Sequence, residues 1–155
     1  MIAPSTSRKR RTSPRILVTG ASGFVGRHLL SSLFHAGHDV IGTTRQSIDL
    51  EPWATTIRIV NAKDSSDWRR ALSHPQSHRQ VKAVVHLAGR AHVMQHDGCT
   101  REAAYEEANV LATKVLAEVA SASGVTRFIF VSSIKALGES TEHRPPFQPS
   151  DVPAP

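Results

Sequence analysis

Five short apolar runs, separated by amphipathic or polar stretches, set the pattern of this chain. Arg15-Ile16-Leu17-Val18-Thr19 lacks polar alternation, which predicts a strand buried on both faces. Beyond a glycine-rich turn, Phe24, Val25, Leu29, Leu30, Leu33 and Phe34 recur at helical spacing, and Gly37 supplies the left-handed residue that ends a helix. Asp39 to Thr44 reads as a second strand and Ile57 to Val60 as a third. Ser66 to Leu72 reads as a short helix capped by Ser66 or Asp67, and polar residues 73–80 as a loop. Val81 to Leu87 forms a fourth strand ending in Ala88-Gly89. A long helix is expected from about Thr100 to Ser123, with Ala104, Ala108, Leu111, Val115 and Val119 as its apolar line and Gly124 closing it. Phe128 to Val131 is the fifth strand and delivers Ser132 and Ser133 at its end; from Gly138 the chain is polar and proline-rich. Strands alternating with helices predict an α/β fold, a parallel sheet with right-handed crossovers.

Composition narrows the picture without changing it. The chain has 155 residues, the size of one domain with a real core, and its 39% hydrophobic content fits a soluble globular protein. No apolar run approaches the roughly 20 residues of a membrane span, and the first residues lack the apolar region of a secretory signal. The single Cys99 has no internal disulfide partner, in keeping with a reducing cytoplasm, the location expected here. The net charge is +6, but Arg8, Lys9, Arg10 and Arg11 carry four of those charges, which leaves +2 for the rest. Such a cluster can hold nucleic acid or act as a targeting signal. The Ser, Thr and Pro around it favour a disordered basic tail over residues 1–14, so neither a nucleic-acid nor a membrane partner is expected.

The chemistry centres on Gly20-Ala21-Ser22-Gly23-Phe24-Val25-Gly26, directly after the first strand. Gly20 permits a sharp turn, Gly23 leaves room for a pyrophosphate, and Gly26 lets the helix pack closely on the strand. A phosphate placed there meets free N–H groups and the positive end of the helix dipole, worth up to ~2 kcal/mol in a partly buried site. The segment Thr19-Gly20-Ala21-Ser22-Gly23-Phe24-Val25-Gly26 resembles the extended short-chain dehydrogenase/reductase superfamily, which includes the NAD-dependent epimerases and dehydratases. The resemblance runs over residues 15–155 and implies an NAD(P)-binding Rossmann domain with strand order 3-2-1-4-5, helices on both faces, and further strands and a substrate-binding segment beyond this point. Ser132-Ser133-Ile134-Lys135 and Ala88-Gly89-Arg90-Ala91-His92-Val93-Met94 are similar to nucleotide-sugar 4-epimerases and 4-reductases of bacterial surface-polysaccharide synthesis, the UDP-glucose 4-epimerase type among them.

Ligands sit at the carboxyl ends of parallel strands. The resemblance places Gly20, Ser22, Gly23, Phe24, Val25 and Gly26 around the cofactor phosphates, and Leu87, Ala88 and Gly89 of His86-Leu87-Ala88-Gly89 beside the pyrophosphate and nicotinamide ribose. Asn61 stands near the position where relatives carry an adenine-binding Asp, and Asn109 of Asn109-Val110 steadies the sheet near the site. Asp39 begins the second strand and so faces the wrong end for the adenosine ribose, whereas Thr44 and Arg45 stand at the productive end. A guanidinium there suits a 2′-phosphate, so the cofactor is NAD or NADP with NADP favoured.

Ser133 matches the superfamily's active-site serine. In the family a Tyr moves the proton while nicotinamide exchanges hydride, and a Lys four residues later lowers the Tyr pKa. Here the only tyrosine is Tyr105, followed four residues later by Asn109, so the chain holds no Tyr-Xaa-Xaa-Xaa-Lys. In relatives that pair follows a stretch like Pro145 to Pro153, which makes this chain read as the N-terminal part of an enzyme. It is expected to be inactive alone, and able to form a family-type homodimer only with the missing segment. The pairs His74/His78 and His92/His96 read as surface or structural histidines, so no metal is expected; Lys135 is an accessory residue and Cys99 a small loop residue. The alternative function is a non-catalytic NAD(P)-binding regulatory module.

Overall fold

The computed structural model describes residues 13–73, 79–90 and 101–154. The chain runs β1 (Arg15–Thr19), α1 (Phe24–His35), β2 (Asp39–Thr44), β3 (Thr55–Arg58), α2 (Ser65–Leu72), β4 (Val81–His86) and α3 (Arg101–Tyr105). A π-helical stretch (Glu106–Leu111) continues α3 into α4 (Ala112–Ala122), followed by β5 (Arg127–Phe130) and a 3-10 turn (Ile134–Leu137). The strands form one sheet in the order β3-β2-β1-β4-β5, and every neighbouring pair is parallel. This is the expected Rossmann-type order. The basic tail up to residue 12, His74, His78, His92, His96 and Cys99 lie outside the described residues.

Strand periodicity builds two cores from one sheet. Leu17, Ile41, Ile57 and Val84 face Trp68 and Leu72 of α2 and Leu116 and Ala120 of α4. Ile16, Val18, Val40 and Val85 face the other way, toward Leu30 of α1. Trp53 completes that second layer by stacking on Phe34 with ring centroids 4.4 Å apart. Each fully buried leucine or isoleucine in these layers contributes about 1.5–3 kcal/mol over an exposed one. At the amino end of the sheet the buried Arg15 guanidinium lies 3.3 Å from Asp39 and donates to Thr55 Oγ1 at 3.2 Å, tying β1 to β2 and β3. Among the described residues no helix is long and apolar enough to cross a membrane.

Several boundaries differ from expectation, for identifiable reasons. The third strand runs over Thr55–Arg58 and Val60 is 70% exposed, because the Asp67 carboxylate takes the N–H groups of Val60 and Asn61 at 2.7 and 2.9 Å. Asp67 therefore points into the protein, and Asp64 caps α2 instead of Ser66 or Asp67, accepting from Ser66 N at 2.8 Å. β4 ends one residue early and β5 is shifted back by one. Phe24 and Val25, expected on the apolar face of α1, are exposed at its open end. In the long helix Leu111 is exposed, and Ala112, Leu116, Val119 and Ala120 face the core. The wider turns of the π-helical stretch turn Leu111 outward, while Val115 and Val119, the later members of the expected apolar line, still pack on the core.

Candidate cofactor site

The carboxyl ends of β1, β2, β4 and β5 meet at one edge of the sheet, with the turn between β1 and α1 at its middle. Gly20 has φ +64°, and a Cβ there would lie 2.8 Å from Ala88 N, so the turns after β1 and β4 are in contact. A Cβ on Gly26 would lie 2.3 Å from Gly20 O and 2.7 Å from Ala21 Cα; only glycine lets α1 start this close to β1. Around Gly23 a Cβ would meet Gly20 O alone within 4 Å, at 3.2 Å, leaving open space beyond it. Gly23 opens α1 in an extended conformation, with no side-chain cap and no acid in the first turn. Ser22 is half-buried, and its carbonyl accepts from Arg27 Nε at 3.0 Å; Ala21 N donates to Thr43 O at 3.3 Å. The result is a pinned turn with an uncapped helix N-terminus, which fits a pyrophosphate.

A polar cluster lies beneath the turn. Leu87 N and Ala88 N donate to Thr19 Oγ1 at 3.2 and 3.0 Å, and Thr19 Oγ1 lies 2.6 Å from His86 Nδ1. His86 Nε2 lies 2.9 Å from Thr113 Oγ1, which donates to Asn109 O at 2.7 Å. Burial pushes the His86 pKa down to about 4, so the ring is neutral near pH 7. The Asn109 side chain accepts from Arg90 N at 2.7 Å and donates to Arg90 O at 3.0 Å, clamping the chain just beyond Gly89. Thr19, His86 and Thr113 escaped the sequence reading. Thr19 and His86 gave only the signal of a polar residue closing an apolar strand, and Thr113, within α4, gave none.

The remaining expected residues fall at the same sheet edge. Thr44 is buried, and its hydroxyl accepts from Gln46 N at 3.1 Å. Arg45 is exposed, with its carbonyl taken by Arg58 Nε at 3.2 Å. Asp39 sits at the opposite end of β2, paired in register with Arg15. Asn61 is exposed and folds onto Lys63 N at 3.0 Å. Ser133, beyond β5, is exposed and caps the 3-10 turn by accepting from Lys135 N at 3.3 Å; Lys135 in turn pairs with Glu139 at 3.0 Å. Tyr105 lies in α3, four residues before the Asn109 clamp. Among the described residues no three His, Cys, Asp or Glu side chains gather as a metal site.

Residues 16–154 match the NAD dependent epimerase/dehydratase family. The chain belongs to this family. The UDP-glucose 4-epimerase of Vibrio cholerae is 35% identical over 147 residues, covering 94% of this chain and 43% of that protein. Among solved structures, the UDP-glucose 4-epimerase of Thermotoga maritima with UDP-glucose superposes with a TM-score of 0.73 at 27% identity, over 91% of this chain and 45% of that one. The Thermus thermophilus UDP-glucose 4-epimerase complexed with NAD gives a TM-score of 0.74 at 25% identity, over 91% and 44%. This family member therefore spans less than half the length of each of these three relatives.

Proposed function

We propose that this chain is the dinucleotide-binding portion of a nucleotide-sugar epimerase, dehydratase or reductase. The observation that carries the reading is the uncapped N-terminus of α1, set behind a turn whose Gly20, Gly23 and Gly26 leave room for a pyrophosphate. The similarity to UDP-glucose 4-epimerases supports the sugar-nucleotide class. In this reading the first-turn N–H groups of α1 bind the phosphates, and the backbone of Leu87, Ala88 and Gly89 passes beside the nicotinamide ribose. Arg45 offers a guanidinium to a ribose 2′-phosphate, which makes NADP the favoured cofactor. Ser133 hydrogen-bonds the substrate oxygen. The bound nicotinamide supplies hydride exchange at a sugar carbon.

Proton transfer at the attached oxygen needs a group that ionises more readily than a serine hydroxyl. These 155 residues contain no Tyr-Xaa-Xaa-Xaa-Lys. General acid–base help of this kind supplies ~100- to 10,000-fold, so the chain alone binds cofactor without turning over sugar. That absence also favours a second reading, a module that binds NAD(P) without catalysis. Calorimetry with NADH and NADPH tests the shared claim, and an assay with UDP-glucose tests the inactivity. Binding without turnover is expected. Turnover lost on Ser133→Ala would overturn the inactivity, and failure of the folded chain to bind either cofactor would overturn the whole reading.

A further inference from the structure

We infer that His86 is a positioning residue for the cofactor turn: as the Nε2–H tautomer it orients the Thr19 hydroxyl, which holds the Leu87 and Ala88 amides against Gly20. The direction of each hydrogen bond follows from its neighbours. Thr19 Oγ1 already accepts from Leu87 N at 3.2 Å and Ala88 N at 3.0 Å, which occupies both of its lone pairs. Its own proton must then go to the third neighbour, His86 Nδ1 at 2.6 Å, and that nitrogen must be unprotonated. The far side of the ring gives the same answer independently. Thr113 donates its proton to Asn109 O at 2.7 Å, so its oxygen can only accept from His86 Nε2 at 2.9 Å.

Both ends thus require one tautomer of a neutral imidazole. The ring is 2% exposed and lies beside Phe130 and Phe128 of β5, with centroids 5.8 and 6.1 Å away. The relay continues into the Asn109 clamp, so the segment from Leu87 to Arg90 is held at four backbone atoms: Leu87 N, Ala88 N, Arg90 N and Arg90 O. Ala88 N lies only 2.8 Å from where a Gly20 Cβ would stand, so slack in this segment changes the spacing of the two turns around the cofactor. A histidine serves here because one ring presents an acceptor and a donor on opposite sides, linking β1 to α4 through β4.

The effect on cofactor rests on the dinucleotide-binding reading above; the tautomer and the amide anchoring do not. The test starts with nitrogen-15 NMR of the labelled full chain near pH 7, where His86 should show a protonated Nε2 and a bare Nδ1. Hydrogen exchange at Leu87 and Ala88 should be about tenfold faster in His86→Phe and Thr19→Val and unchanged in Thr19→Ser, which keeps the hydroxyl. NAD affinity should fall about tenfold in the first two variants and hold in the third. If His86→Phe does not fold, the contrast between Thr19→Val and Thr19→Ser decides. An Nδ1–H tautomer, or unchanged exchange in folded Thr19→Val, overturns the relay. Intact NAD affinity in variants with loosened amides overturns the positioning role. Wild-type chain that binds no NAD strikes the dinucleotide reading itself, and the NMR and exchange data still support or overturn the relay.

Discussion

Mild acid should destabilise this protein through one side chain. Burial lowers the His86 pKa from 6.5 to about 4, so between those values the unfolded chain takes up a proton that the folded chain refuses. Stability rises with pH wherever the unfolded state binds more protons, so the His86 contribution is complete above about pH 6.5 and is lost as the pH falls toward 4. One pKa unit corresponds to about 1.4 kcal/mol, and the full drop across the window is about 3 kcal/mol, a large fraction of the stability of a small domain. Asp64, held below its usual value by hydrogen bonding to Ser66, acts in a different range: its contribution is present above pH 3.8 and is lost below it. The assay is urea unfolding at half-unit steps from pH 7 to 4.5, run on the wild type and on His86→Gln. The wild type should weaken by roughly 1.4 kcal/mol per unit in the steepest part of the window, whereas the non-titrating variant starts lower and shows a shallower slope. A wild-type profile that is flat below pH 6.5, or an equal slope in His86→Gln, would refute the reasoning.

Three further outcomes follow from single contacts. Gly26→Ala drives a methyl to 2.3 Å from Gly20 O and should cost at least about 1–3 kcal/mol, read as a lower thermal midpoint, because backbone and not a pliant side chain must move. Asp67→Asn weakens the charge-assisted bonds to Val60 N and Asn61 N and the pair with Arg70, and should cost about 1–3 kcal/mol in urea unfolding. Arg45→Ala should weaken NADPH more than NADH in calorimetry; equal losses would show that the guanidinium does not face the 2′-phosphate.

How much of this was legible depended on how local the cause was. β1 could be read to the residue because its apolar run Ile16-Leu17-Val18 ends in Thr19-Gly20, and β2 because Gly37 ends the preceding helix two residues before Asp39 and Val40-Ile41 run on into Thr43-Thr44. The glycine turn was equally legible, since positive φ at Gly20 and close packing at Gly26 are demands that only glycine meets. The end of β3 was not, because Asp67, seven residues past Val60, takes the donors that would have prolonged the strand. The buried face of the long helix was misread at Leu111, since a π-helical register leaves no mark in a 3.6-residue pattern. The relay under the site was hidden most deeply: Thr19 and His86 are 67 residues apart, and each looks like an ordinary strand terminus until the parallel register of β1 and β4 sets them side by side.

The central claim is that the turn from Gly20 to Gly26 holds a dinucleotide pyrophosphate, and the most direct measurement is calorimetric titration of NADH and NADPH into the wild-type chain and into Gly23→Val. The substitution places a branched side chain in the open space before the N-terminus of α1, where Gly20 O at 3.2 Å is the one atom a Cβ would meet within 4 Å. Folding should therefore survive while affinity falls more than about tenfold, a loss above ~1.4 kcal/mol. Binding by the wild type together with that loss in a folded variant is the predicted result. Undiminished binding by folded Gly23→Val would contradict the account.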